Sequence, residues 1–368
     1  MNARMRLAVL GGLILIASVP RGARGDNIYV QTNLITSATD PDLINPWGIS
    51  SGGSGPFWVS DNATGKSTLY NSAGVKQGLV VSMPVGSEPI TGQVFNGTAS
   101  FNGDVFLFAS ENGTISGWRG GLGMNAEQLA SVTNAVYKGL AISDTKDTLF
   151  AANFRTGAID VFSGPNAPPS GSFSDPNAPV GYAPFNIQNI GGKFYVTFTQ
   201  QNGLMHDDVS GVGHGFIDTF DPITHTFTRL ATGSAAGGTV DALNSPWGLA
   251  LAPITFGGFG GDLLVGNFGD GRINAFDPTT GAFLGHLNDA NGNAIVNPGL
   301  WGLKFGNNGK GGDSQSLYFA AGGANESSGV FGRIRSVPEP GSFAMLGLGG
   351  CLAWTAFRRH RGRAGARS

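Results

Sequence analysis

A short unit recurs along this chain, and its period leaves few folds open. The clearest copy begins at Ser245-Pro246-Trp247-Gly248 and ends near Gly285. Its segments Leu249 to Leu251, Asp262 to Val265, Arg272 to Phe276 and Ala282 to Leu287 read as four short strands. Asn267-Phe268-Gly269-Asp270-Gly271 and Asp277-Pro278-Thr279-Thr280-Gly281 read as turns, because proline presets φ and glycine supplies a positive φ. A lone meander of this size cannot bury both its faces, so it needs neighbours like itself.

The neighbours are present. The aligned positions Gly48, Gly92, Gly139, Asn186, Gly248 and Gly302 recur at intervals of roughly 44 to 62 residues, the range of propeller blades with loop insertions. No unit carries an apolar i, i+3, i+4, i+7 stripe of useful length, which excludes helical repeats. The expected fold is therefore all-β, a six-bladed β-propeller of the NHL or lactonase type. The sixth unit stops at Ile334 after three strands, while the strand-like segment 28–35 precedes the first unit unassigned. Placed on the edge of blade six, that segment closes the ring and removes an exposed edge. The propeller is expected over residues 26–335.

Both ends read as addresses. Arg4 and Arg6, the apolar run 7–19 and the small residues Ala23 and Gly25 form a secretory signal peptide over residues 1–25. At the other end, Pro338-Glu339-Pro340 precedes the apolar stretch 341–357 and the basic tail that opens with Arg358 and Arg359. This stretch is near the lower length limit for a membrane helix, and its basic flank predicts a cytoplasmic end. Motif, span and arginine tail together resemble the PEP-CTERM sorting signal, expected over residues 336–368. The resemblance implies recognition at Pro338, Glu339 and Pro340 by exosortase-type machinery, membrane retention through the C-terminal helix, and release to the extracellular matrix after cleavage.

Composition narrows the partners. Charged residues make up 12% of the chain and the formal net charge is −2, so there is no basic face for nucleic acid. The one cysteine, Cys351, lies in the C-terminal apolar stretch, so the exported body must be stable without disulfides. The motifs NPWGIS, FWVSDNATG, VYKGLA, AANFRTGAIDVF, APFNIQNIGGKFYVTF, SPWGLALAP and GDLLVGNFGDGRINAFDP resemble an uncharacterised bacterial family of PEP-CTERM-bearing β-propellers. That resemblance implies fold and envelope location, and no activity.

In a meander the entrance to the first strand and the turn between strands two and three share one face of the disc. Asp61, Glu111, Asn153 and Asn267 occupy that turn in four blades, with Phe198 and Ala321 at the equivalent places in blades four and six. Four polar side chains around a channel suit Ca²⁺ or a small polar ligand, since hard cations want several oxygens. Asx residues that serve their own turns produce the same spacing. The insertion in blade four, residues 200–214, falls on the same face and holds His206, Asp207, Asp208 and His214. Imidazole and carboxylate suit zinc, iron or manganese, and an ordinary polar loop has the same letters. Trp47, Trp247 and Trp301 fit either inter-blade packing or an aromatic sugar platform. No nucleophile elbow, P-loop or dinucleotide fingerprint is in its required context, so no catalytic residue is assigned.

Two functions follow as expectations. One is a non-enzymatic binding or structural module of the envelope or extracellular matrix, with an extracellular polysaccharide or an envelope protein as partner. The other is a metal (calcium)-dependent hydrolase resembling six-bladed lactonases.

Overall fold

The computed structural model describes residues 28–337. Within them the chain forms six four-stranded antiparallel sheets arranged as the blades of a propeller. The expected signal peptide at 1–25, the sorting residues Pro338, Glu339 and Pro340, and the apolar stretch 341–357 lie outside the described residues. Among the described residues no helix is long and apolar enough to cross a membrane.

Burial falls from the axis outward, as a stack of blades requires. Inner and second strands are covered on both faces by neighbouring blades, so Pro46–Ser50, Phe57–Asp61 and Leu317–Ala321 are buried throughout. Outer strands have fewer neighbours, and Pro169–Phe173 and Phe283–His286 are largely exposed or half-buried. The core consists of apolar clusters between adjacent blades. One joins Ala250, Phe256 and Leu264 of blade five to Leu303, Phe319 and Ile334 of blade six.

Blade six closes the ring with strands from both ends of the described chain. Leu300–Phe305, Leu317–Ala321 and Val330–Ser336 supply three strands, and Tyr29–Thr36 pairs antiparallel along the last of them. The register runs from Tyr29 opposite Ser336 to Thr36 opposite Val330, with a bulge between Asn33 and Ile35. The third strand thus continues two residues past Ile334, and the Val337 N–H donates to the Ile28 carbonyl at 3.1 Å. Tyr29 locks the closure. Its ring lies 4.9 Å from Phe256, and its hydroxyl donates to the Phe256 carbonyl at 3.2 Å.

The six inner strands are Pro46–Ser50, Ile90–Phe95, Tyr137–Ile142, Tyr182–Ile190, Pro246–Leu251 and Leu300–Phe305. Each packs on the next around the axis, the sixth returning to the first. The recurring glycine permits this approach. A Cβ on Gly139 would sit 2.7 Å from the Asn186 Cα, and one on Gly302 would sit 2.4 Å from the Trp47 carbonyl oxygen. Asn186 replaces glycine in blade four and bridges instead, its Nδ2 donating to the Trp247 carbonyl at 2.7 Å.

Candidate functional site

Where the inner strands begin, an aromatic plug fills the axis. Trp47 and Trp301 stack with ring centroids 3.4 Å apart, and Trp247 meets them edge-on at 6.0 and 5.7 Å. Phe154, Phe185 and the half-buried Phe268 complete the cluster. The three tryptophans are at most 4% exposed, so they serve as inter-blade packing and present no sugar platform. Two indole N–H groups are satisfied: Trp301 Nε1 donates to Asn45 Oδ1 at 3.0 Å, and Trp247 Nε1 to the Lys138 carbonyl at 3.0 Å.

A polar layer covers this plug. Asn45 Nδ2 donates to Glu326 at 2.7 Å and to Asn62 Oδ1 at 3.2 Å, and Asn62 Nδ2 donates to Glu111 at 3.2 Å. Glu111 also accepts from the Lys138 ammonium, which is 2% exposed. The same ammonium lies 5.3 Å above the Trp47 ring and 3.6 Å from Asp207. Burial raises the Glu326 carboxyl above its ordinary range. Asp207 moves the other way: partial burial opposes ionisation, but the His206 hydrogen bond and the Lys138 charge outweigh it.

Asp207 belongs to the insertion between Lys193–Gln200 and Phe216–Asp221, which crosses the mouth of the channel. Several bonds pin the insertion. Gln201 Nε2 donates to the Phe154 carbonyl of blade three, the Val209 N–H to the Gln200 carbonyl at 2.8 Å, and the Gly211 N–H to Asn244 Oδ1 at 2.8 Å. Its two turns remain open to solvent, with Leu204 77% and Met205 47% exposed in the first and Val212 66% in the second.

The four turn residues do not converge. Asp61 is buried within blade one and accepts from the Thr68 hydroxyl at 2.7 Å, and burial pushes its carboxyl well up. Asn153 accepts from the backbone of Val136 at 3.2 Å and donates to Asp160 at 2.8 Å. Asn267 donates to the Ala242 carbonyl at 2.7 Å and to Asp270 at 3.0 Å. These three side chains bond within their own blades, to the neighbouring strand, the strand entrance or the turn, and Glu111 alone of the four reaches the mouth.

The insertion residues divide similarly. His206 Nδ1 lies 2.7 Å from Asp207, and a ligand atom from each of Glu111, His206 and Asp207 lies within 4.8 Å of the others. Asp208 instead accepts from the Ser210 and Ser245 hydroxyls, and His214 Nδ1 donates to the Val209 carbonyl at 2.7 Å. The structure therefore unites one member of the turn set with two of the insertion set. It adds Lys138, Asn45, Asn62 and Glu326, which sequence reasoning passed over. Lys138 had a visible signal, a lone charge between Tyr137 and Gly139 in an otherwise apolar strand entrance.

Residues 336–361 match the PEP-CTERM protein-sorting motif. An uncharacterised protein of Acanthamoeba polyphaga mimivirus is 35% identical over 306 residues, which cover 75% of this chain and 72% of that protein. A second uncharacterised mimivirus protein is 32% identical over 298 residues, covering 74% and 75%. Among solved structures, virginiamycin B lyase from Staphylococcus aureus aligns with a TM-score of 0.52 at 13% identity, over 84% of this chain and 99% of that one. A streptogramin B lyase structure aligns at 0.53 and 10% identity, over 83% and 97%. At these identities the two lyases share the propeller fold with this chain and carry no further inference.

Proposed function

The chain belongs to the propeller family of these mimivirus proteins and ends in a sorting motif for export and envelope association, and on that premise we propose a binding module of the cell envelope. Exosortase-type machinery recognises Pro338-Glu339-Pro340, the stretch 341–357 holds the protein in the membrane, and processing releases it toward the extracellular matrix. The propeller engages an envelope protein through the mouth covered by residues 200–214. The observation that carries this reading is the exposure of Leu204, Met205 and Val212 on a backbone pinned by its own hydrogen bonds. Aliphatic side chains exposed on the turns of one solvated insertion suit a contact with another macromolecule. They offer area and few hydrogen bonds, which suits a protein surface better than sugar hydroxyls.

The test is retention. The triple variant L204S/M205S/V212S should leave the melting temperature unchanged and shift the mature protein from the envelope fraction to the medium. Unchanged retention with the loop altered would remove this face as the docking surface.

A second reading rests on Glu111, His206 and Asp207, whose donor types suit zinc, iron or manganese. It supports a transition-metal site at the mouth, separate from the calcium set on which the hydrolase alternative depends. The Lys138 ammonium already lies against both carboxylates, so a metal ion has to displace it. Metal content of the purified protein, with melting temperature measured before and after chelation, tests this reading.

A further inference from the structure

The described chain ends on the outer part of blade six, and the strand register fixes at which end of the disc. Leu300 pairs with Ala321 and Ala321 with Val330, at the end that carries the tryptophan plug. Phe305 pairs with Leu317 and Leu317 with Ile334, at the other end. Val330–Ser336 therefore runs away from the mouth for about 20 Å, at roughly 3.4 Å per residue. Ser336 meets the connection between Leu251 and Leu263 of blade five, which pair at that same far end. A Cβ on Gly257 of this connection would sit 3.0 Å from the Ser336 Cβ. The first described residues start here too, since the Val337 N–H donates to the Ile28 carbonyl at 3.1 Å.

Little chain separates this exit from the apolar stretch 341–357. Gly341 follows Val337 by four residues, which reach at most about 14 Å fully extended. As a membrane helix the stretch spans about 26 Å, short of the roughly 30 Å of a hydrocarbon core, so none of its length is spare and Gly341 belongs at the edge of that core. Crossing the headgroups uses about 5–7 Å of the reach, which leaves Val337 within about 10 Å of the lipid surface.

The surface beside the exit suits such a neighbour. Ile254, in the blade-five connection, is 86% exposed, and Val30 is 53% exposed. Arg335 stands opposite Val30 and is exposed, and among the described residues no carboxylate pairs with it. Its Nε donates to the Ser316 hydroxyl at 2.9 Å, which leaves the other guanidinium N–H groups for phosphate oxygens. Aliphatic side chains beside a basic group fit the boundary between headgroups and acyl chains.

We propose that the anchored protein stands with the rim of blades five and six, around Ile254 and Arg335, against an anionic lipid surface, and with the mouth directed away from it. The proposal rests on the reading of 341–357 as the membrane anchor. It deepens the docking reading, because a partner of residues 200–214 then approaches from the side away from the bilayer.

The test uses the full chain with C351S and one fluorophore-labelled cysteine, I254C or V212C, in vesicles of phosphatidylethanolamine and phosphatidylglycerol. Both positions are exposed, so neither label displaces a buried side chain. Flotation reads the anchor, and quenching by a lipid with a nitroxide on its headgroup reads the orientation. The chain should float, the I254C label should lose emission as nitroxide lipid is added, and the V212C label should keep it. A flexible Gly-Ser linker long enough to span the disc, inserted after Val337, should erase the difference. A chain that stays with the soluble fraction would overturn the anchor and this proposal with it. A chain that floats with both labels quenched alike, neither quenched, or V212C quenched more would overturn the orientation and leave the anchor standing. A difference that survives the longer linker would overturn the short tether as its cause.

Discussion

Replacing Glu111 with glutamine isolates the charge pair at the capped mouth. The Lys138 side chain is 3% exposed and that of Glu111 10%, so the pair sits largely out of water. Removing one partner of a buried pair costs about 3–5 kcal/mol, because the other charge stays desolvated. Two features reduce the figure here. Asp207 remains 3.6 Å from the ammonium but is 61% exposed, which limits it to about 1 kcal/mol or less. The Trp47 ring face at 5.3 Å contributes about 1 kcal/mol. The expected loss for E111Q is therefore about 2–4 kcal/mol. Lys138→Met alone should cost about 1–3 kcal/mol by leaving Glu111 with Asn62 as its remaining partner. The double variant E111Q/K138M removes both charges and should recover most of the loss, with a coupling energy of about 2 kcal/mol. Urea unfolding followed by tryptophan fluorescence is the assay, since Trp47, Trp247 and Trp301 form the layer directly beneath the pair. Strict additivity of the two single losses, or an E111Q loss under about 1 kcal/mol, would refute this account of the mouth.

Other consequences are sharp enough to measure. Gly139→Ala should cost about 1–3 kcal/mol by forcing blade three from blade four, while Gly121→Ala, whose added Cβ meets nothing within 4 Å, should be neutral in the same unfolding assay. Tyr29→Ala should destabilise by about 3–5 kcal/mol, because it empties a buried aromatic site that closes the ring, and calorimetric melting would detect it. Burial pushes the Asp218 carboxyl from its ordinary 3.8 up to about 7, against the opposing pull of Arg229. The folded state then binds more protons than the unfolded state across that interval. The resulting stability is fully present below about pH 4 and is lost as the pH rises through about 7. D218N should remove this slope from a plot of stability against pH. If a transition metal occupies Glu111, His206 and Asp207, K138M should raise zinc affinity in a competition titration and H206A should lower it.

The propeller itself was readable from sequence because each blade repeats one local pattern. A strand entrance ending in glycine, two short apolar strands and an Asx-Gly turn are governed by backbone chemistry within about 40 residues, and a fixed period exposes them. Closure by the N-terminal strand was also readable, since blade six lacked an edge and segment 28–35 had no other use. The candidate site was readable only in part. Asp61, Glu111, Asn153 and Asn267 read as one position of the repeat, but the register of the inner two strands makes Ser110, not Glu111, the equivalent of Asp61, Asn153 and Asn267. Glu111 stands one residue further on, with Asn62, Phe154 and Phe268. Successive side chains of a strand end point to opposite sides, so Glu111 reaches Lys138 and Asn62 at the mouth as Asn62, Phe154 and Phe268 do, and a one-residue slip in aligning blade two hid this.

What the sequence by itself determined was therefore the repeated unit, the number of blades, the way the ring closes and the sorting address at Pro338-Glu339-Pro340. Only the tertiary structure decided which polar groups share a site. Asn45 meets Glu326 across 281 positions of chain, and Lys138 meets Glu111 and Asp207 from two other blades. Lys304 and Lys146 likewise reach one cavity from blades six and three. Each of these encounters exists because six inner strands bend to a common axis, and no local pattern states which side chains arrive there together.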